Sequence, residues 1–415
     1  MPHSVPASED WPHKLAVRTV RAGRTEALLT KGICVKITKI ETFQVPPRWL
    51  FLRMETESGL VGWGEPIVEG RAETVAAAVA EMSDYLIGED ASTIEDHWQV
   101  LTKGGFYRGG PVLSSAVAGI DQALWDIKGK ALDVPIYELL GGPVREKVRM
   151  YTWIQGASPE ELANSTREAM AEGFTAVKFC PAGKLAPLDT AASIRKMVKS
   201  LAAVREAGGE ELDIALDFHG RFSPAMSRRV LPLMEEYLPI FAEEVLVPEL
   251  SGDLSLIAQG TSIPLAVGER LYSRWDFKTV LGKGVSVVQP DLSHAGGISE
   301  VRRIAAMAEA YGVQLAPHCP LGPIALAASL QVDIASPNFL LQEQSRGSGY
   351  QEGPDLFDYL EEPEVFNMGT GYIARPVAPG LGIGIDEEKV RHAALNPHRW
   401  RNSIWRQNDN SFLEW

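Results

Sequence analysis

The sequence predicts an α/β protein: a (β/α)8-type barrel, a modified TIM barrel, joined to a small α+β domain. Three observations lead there. From about residue 148, short apolar runs alternate with amphipathic helical stretches over roughly 230 residues, the size and rhythm of a closed βα repeat. Upstream of that, strand-like runs give way to a long helical stretch, which reads as a separate small domain. No G-x-G-x-x-G follows the first strand of the repeat, so a doubly wound dinucleotide-binding sheet has no support. The length of 415 residues is itself long for one core and suits two domains.

The elements follow in order. Residues 1–34 carry Arg18, Arg21 and Arg24 and lack the apolar core of a secretory signal. They read as a flexible extension outside the fold. From Val35, VKITKIETFQV and WLFLRMETESGLVGWGEP are strand-like runs joined by turn chemistry such as the E-S-G at residues 57–59. Helical periodicity holds from about Ala72 to Leu140, most clearly in PVLSSAVAGIDQALWDIKGKALDVPIYELLGG. Residues 35–147 are therefore assigned to the α+β domain and 148–356 to the barrel. The barrel strands are expected in MYTWI, FTAVKFC, LDIALDFHG, PIFAEEVL, IPLAVGER, VSVVQPDLS, VQLAPHC and NFLLQEQS. The turn-rich tail, residues 357–415, is expected to pack back on the first domain, and its GLGIG reads as a plain turn.

Composition narrows the function. Hydrophobic residues make up 45% of the chain, and no apolar run approaches the ~20 residues of a membrane span, so no membrane partner is expected. A formal net charge of −14 argues against nucleic acid, whose phosphates need a basic footprint. It leaves open a small anionic substrate whose charge is met locally by a metal ion. Cys34, Cys180 and Cys319 lie far apart with no C-x-x-C spacing, which indicates neither a disulfide framework nor a zinc cluster and suits a reducing, cytoplasmic setting.

The run LDIALDFHGR ends a buried strand with Asp217 and His219 two positions apart, on one face. A strand fraying into a polar loop would account for that pair alone. The other strand ends argue otherwise, for in order they carry Glu243 and Glu244, Glu269, Asp291, His318 and Glu343. Scattered surface charge would not repeat with the βα unit, and the C-terminal ends of barrel strands are where active sites form. Asp217, Glu243 and Glu269, on consecutive strands, would repel one another unless a cation lay between them. Their hard oxygen ligands suit Mg2+ better than zinc. The competing reading pairs some of them with Arg270 or Arg274. His219 and His318 stand outside this set and suit proton transfer. Asp291 is placed to fix the tautomer of His318, which makes His318 the base, and His219 is placed to protonate a departing hydroxyl.

The helix AVAGIDQALWDIKGK, the run PIYELLG, and the rim D-F-H, A-E-E and G-E-R resemble the mandelate racemase branch of the enolase superfamily. PPRWLFL, GFYRGGP, LDFHGR, QPDLSHAGGI, APHCPLGPIALA and LQEQS are most similar to D-galactonate dehydratases within it. The likeness runs from about residue 35 to 415. It implies that the N- and C-terminal segments form a domain capping the barrel mouth, with the loop around Pro46 to Trp49 and the loop GGFYRGG reading the substrate. It also implies a Mg2+ site at Asp217, Glu243 and Glu269, a base His318 supported by Asp291, an acid His219, and Glu343 as stabiliser of an enolic intermediate.

Two positions depart from the pattern. Val245 replaces the usual proline of E-E-P. Cys180 stands where racemases of this branch have a second lysine, which disfavours racemisation. The expected reaction is loss of water from D-galactonate to give 2-dehydro-3-deoxy-D-galactonate. Gluconate, arabinonate or a related aldonic acid is an alternative substrate, and a noncatalytic metal-binding scaffold an alternative role. The resemblance also implies a homo-oligomer.

Overall fold

The computed structural model describes residues 35–181, 183–348 and 353–414; the extension expected at residues 1–34 lies outside the described residues. The first sheet is an antiparallel meander of β1 (Ile37–Val45), β2 (Trp49–Thr56) and β3 (Val61–Gly64), with Phe43 opposite Phe51 and Val45 opposite Trp49. Gly59, at φ 79°, makes the turn from β2 into β3, a conformation that glycine adopts without steric cost. Helices Ala72–Leu86, Ile94–Lys103 and Pro111–Leu132 follow. The last begins with proline at its first turn, where no N–H is needed, and ends at Asp133 in the left-handed region.

Helix Pro111–Leu132 lies directly on β3. A side-chain carbon at Gly64 would collide with the Gly119 carbonyl, and one at Gly62 with that of Ala123. Only hydrogen at these two positions allows so close an approach. Polar groups of this helix then join the first domain to the rest. Asp126 accepts from Trp63 N at 3.0 Å and Leu381 N at 2.9 Å. Gln122 accepts from Glu65 N at 2.8 Å and donates to the Leu292 carbonyl at 2.9 Å, and Asp121 accepts from Ser299 N at 3.0 Å. Glu65, at the end of β3, accepts from Gly322 N and Ala325 N at the start of helix Pro323–Ala335. Buried acceptors therefore meet backbone donors that would otherwise lack partners.

The short strand β4 (Lys147–Arg149) leads into a parallel sheet of β5 (Thr152–Trp153), β6 (Ala176–Phe179), β7 (Asp213–Asp217), β8 (Phe241–Glu243), β9 (Leu265–Val267), β10 (Val285–Val288) and β11 (Gln314–Leu315), each beside its predecessor. The eighth expected strand, residues 338–345, is no continuous strand. It closes the ring by single bridges, Phe339 with Leu315 and Gln342 with Met150. The amide of Gln342 bonds the carbonyls of Pro317 and Glu343 and that of Gln344 bonds the Tyr151 carbonyl, so side chains take up acceptors in this stretch. Helices after β5, β6, β7 and β9 start at Ser158, Thr190, Ser223 and Ser273, each capping an amide three residues on.

One inward layer of the barrel consists of Tyr151, Ala176, Ala215, Phe241, Ala266, Val287, Ala316 and Leu341, one residue from each of the eight segments. Two residues further along, the same faces present Trp153, Lys178, Asp217, Glu243, Gly268, Gln289, His318 and Glu343. The apolar floor thus sets, by strand period, the polar layer above it. In the tail, β12 (Tyr372–Ala374) pairs with β4, and helix Glu387–Ala393 meets β1 and β2 through Arg391–Glu41 and Arg53–Glu387, both at 2.9 Å.

Gly64→Ala should lower stability by about 1–3 kcal/mol through overpacking, read as a lower urea midpoint at unchanged slope.

Candidate active site

The C-terminal ends of the strands meet under the first domain around a cavity of about 200 Å³, lined by Asp217, His219, Glu269, Trp153, His294 and His318 from the barrel and by Arg48 and Glu69 from the meander. Asp217, Glu243 and Glu269 bring one carboxylate oxygen each within 4.8 Å of one another. Arg270 pairs with Glu244 at 2.6 Å and Arg274 with Glu300 at 2.8 Å, so neither arginine claims the triad. The cation that does reach it is Lys178, a residue the sequence reading did not select. Fully buried on β6, its Nζ lies 2.9 Å from Glu243, 2.9 Å from Glu343 and 3.5 Å from Asp217. Its signal was a lysine inside the apolar run FTAVKFC, two residues beyond the floor residue Ala176.

One ammonium does not balance this cluster. Burial and the neighbouring charge of Asp217 push Glu243 well above the ordinary carboxylate range, against the pull of Lys178. Burial lifts Glu269 to about 7, opposed by His318 and aided by Asp217. Carboxylates held this close and this dry raise each other's proton affinity, and a divalent cation among them would remove the cause. Three hard oxygen donors at one barrel mouth fit such an ion.

Local backbone helps to place these groups. Asp217 ends β7 and accepts from His219 N at 2.8 Å, which folds the chain back with His219 at φ 51°. Glu244 sits at φ 46°, and its carboxylate receives both Arg270 and the Gly268 amide. Two non-glycine residues in the left-handed region, beside two of the triad acids, concentrate strain where the site is built.

The two histidines differ. His318 Nδ1 is 2.8 Å from Asp291 Oδ2, and its Nε2 lies 3.5 Å from Glu269. Burial lowers its proton affinity, but Glu343, the Asp291 bond and Glu269 outweigh that and raise it well above the usual imidazole range. His219 stacks on Trp153 at 6.1 Å with Nε2 3.4 Å from Asp217. Burial is the main cause holding it down at about 4, with Arg221, Lys178 and Arg270 adding to the effect and Asp217 opposing it. Glu343 takes the Trp153 indole N–H at 2.8 Å and the Cys319 amide at 2.9 Å, so its carboxylate is fixed below His318. Asp291, His294 and His318 form a second close group of donors, already joined internally by the Asp291–His318 bond.

The structure therefore brings Asp217, His219, Glu243, Glu269, Asp291, His318 and Glu343 to one mouth. Of the two loops expected to read substrate, that at Pro46 to Trp49 delivers Arg48 to the cavity. The loop at residues 104–110 instead borders a neighbouring cavity of about 580 Å³ that shares Arg270 and Tyr272, and it exposes Phe106 and Tyr107. Sequence reasoning also missed Glu69, His294 and Trp153, of which H-A-G-G at 294–297 was the most visible trace.

Comparison with known proteins agrees with the fold. Residues 37–141 match the model of the mandelate racemase/muconate lactonizing enzyme N-terminal domain, and residues 161–389 that of the enolase C-terminal domain-like family. A provisionally named dehydratase from Mesorhizobium loti is 31% identical, with 86% of this chain and 98% of that one covered at a TM-score of 0.82. A mandelate racemase/muconate lactonizing enzyme from Jannaschia sp. is 34% identical, covering 90% and 99% at 0.80. A provisionally named dehydratase from Zymomonas mobilis is 31% identical, covering 86% and 98% at 0.79.

Mg2+ should raise the melting temperature of the protein, because an ion that binds only the folded chain stabilises it by about 2.7 kcal/mol at a hundredfold excess over Kd. Asp217→Asn should abolish that shift. Since Glu269 must lose its proton to serve as a ligand, and holds it up to about pH 7, Mg2+ affinity should weaken as pH falls below that point and level off above it. Titration calorimetry at pH 6 and pH 8 reads the difference.

Proposed function

Because the chain belongs to the mandelate racemase/muconate lactonizing enzyme family, we propose that it is a Mg2+-dependent hydro-lyase acting on sugar acids. D-Galactonate is the first substrate, giving 2-dehydro-3-deoxy-D-galactonate. The observation that carries this reading is a pair of histidines, His318 bonded to Asp291 and His219 stacked on Trp153, lining one cavity with the acids Asp217 and Glu269. Two histidines at one mouth suit a reaction that takes a proton from one carbon and delivers one to the hydroxyl leaving the next.

Asp217, Glu243 and Glu269 would hold the divalent ion, which when bound supplies a Lewis acid for the substrate carboxylate and for the charge that develops beside it. His318, with Nδ1 occupied by Asp291, is left with Nε2 facing the cavity and takes the α-proton. Glu343, locked by Lys178, Trp153 and the Cys319 amide, lies beneath the reacting end as a fixed partner for an enolic hydroxyl. The C3–O bond then breaks with its electron pair, and the hydroxyl leaves as water with a proton from His219. Tautomerisation of the enol gives the 2-keto-3-deoxy acid. Each positioned histidine contributes about 10²–10⁴-fold.

The low proton affinity of His219 favours a second reading, in which His318 returns to the 3-hydroxyl the proton that it took. Racemisation has less support: Lys178 is tied to three carboxylates, and the position two residues on is Cys180, 3.2 Å from Arg221.

A screen of aldonic acids with Mg2+, detecting 2-keto-3-deoxy products, tests the proposal. D-Galactonate should be consumed, and His318→Asn should abolish both product and α-proton exchange in D₂O. His219→Asn should keep exchange while losing at least about a hundredfold in product formation; full dehydration by that variant would move the acid role to His318. Recovery of an epimer would make the enzyme a racemase. Absence of both exchange and product across the set would leave a noncatalytic scaffold.

A further inference from the structure

His318 lies in the loop that joins β11 to helix Pro323–Ala335, and the backbone of that loop is held from two sides. On the barrel side, the Gln342 amide donates to the Pro317 carbonyl at 3.2 Å, and Glu343 accepts from Cys319 N at 2.9 Å. On the side of the first domain, Arg48 Nη2 donates to the Pro320 carbonyl at 3.0 Å, and Glu65 accepts from Gly322 N at 2.7 Å and from Ala325 N at 3.0 Å. His318 thus stands in a short segment that both domains fasten.

Glu65 supplies what this segment lacks. Helix Pro323–Ala335 begins after Gly322, which has no side chain to cap the first amides of the helix. A side-chain carbon at Gly322 would come within 2.6 Å of Glu65 Oε1, so the cap that arrives from 257 positions away leaves no room for a local one. Both oxygens of one carboxylate accept at a helix N-terminus, where the backbone dipole favours such a group. Glu65 is itself fully buried, and its amide donates to Gln122 Oε1 at 2.8 Å, which ties it to helix Pro111–Leu132. It does not line the cavity that holds His318. We propose that Glu65 is a positioning residue for the base: by capping helix Pro323–Ala335 from the first domain it fixes the loop that carries His318, so that proton abstraction requires the first domain seated on the barrel. The proposal rests on the reading of His318 as the base given above. The plainer alternative is a cap that only stabilises the fold.

Glu65→Gln separates the two, because the amide keeps the size of the side chain but offers one acceptor oxygen and turns an NH2 toward the other donor. Wild type and variant, both with Mg2+, would be compared by the ring NMR signals of His318 and by α-proton exchange of D-galactonate in D₂O. The His318 signals, assigned by their loss in His318→Asn, should move, whereas those of His97, buried on helix Ile94–Lys103, should stay. Exchange at saturating substrate should fall by about 10–100-fold, the cost of misplacing a reacting group by about 1 Å, with KM and the Mg2+ Kd unchanged. Glu65→Asp, which keeps a carboxylate, should recover part of that loss, and it is judged by the same readouts if Glu65→Gln does not fold. A lower melting temperature with the His318 signals and exchange rate of wild type would leave only a structural cap and overturn the proposal. Equal movement of both histidines, or movement of His318 with no loss of rate, would also overturn it. Exchange by the wild-type protein judges the dehydratase reading separately. If wild type exchanges no aldonate yet the His318 signals alone move in the variant, the positioning role stands and the reaction must be reassigned.

Discussion

Mutual repulsion among buried carboxylates is the constraint on which the rest of this molecule depends. Asp217, Glu243, Glu269 and Glu343 converge at the mouth of the barrel, and all but Glu269 are essentially inaccessible to water. Charges so placed raise one another's proton affinity unless something positive lies among them. Lys178 supplies part of the answer, reaching Asp217, Glu243 and Glu343, and the aromatic faces of Tyr151 and Trp153 at 5.2 and 4.6 Å add to its stabilisation. Glu269 lies beyond its reach and leans on His318 instead. A further cation among these acids would offset the repulsion that remains, and a rigid frame holds them at this spacing.

The frame is the alternation of the strands. An apolar residue from each of eight segments closes the floor, and period two then lifts the polar residues into the layer above it. Sliding β7 by one residue would put Leu216 or Phe218 where Asp217 stands. The first domain is fixed over this mouth by hydrogen bonds rather than by loops alone. Asp121 accepts from Ser299 N, Asp126 from Leu381 N and Glu65 from Gly322 N and Ala325 N, while Gln122 donates to the Leu292 carbonyl, so the polar letters of the AGIDQALWD run serve assembly and not chemistry.

Within that frame, similar residues acquire different properties from their surroundings. His318 is ringed by carboxylates that raise its proton affinity, a pull that a cation at Glu269 would offset; His219 shares the rim with Arg221, Lys178 and Arg270 and is held below the usual imidazole range, chiefly by burial. Arg270 and Glu244 satisfy each other, which engages the guanidinium beside Glu269 and leaves the cluster to Lys178. The positive φ angles of His219 and Glu244 are tolerated because Asp217 bonds the His219 amide and Arg270 anchors the Glu244 carboxylate.

The barrel and the acids at its strand ends were legible in the sequence because both follow from local rules. Strand and helix periods differ, so the alternation of the two is visible without coordinates, and Asp217 with His219, Glu243, Glu269, Asp291, His318 and Glu343 recur at the same point of each repeat. The eighth strand was overread, since an apolar run cannot show that Gln342 and Gln344 would turn their amides on nearby carbonyls. Tertiary structure alone decided that Lys178 joins the acids, since a lysine within a strand is as consistent with an exposed face as with a barrel interior. It alone brought Glu69 to His294 across 225 positions of chain, and it alone set the opposite proton affinities of the two histidines. Local periodicity determines which way a side chain points, whereas burial and charge depend on what the fold places opposite it.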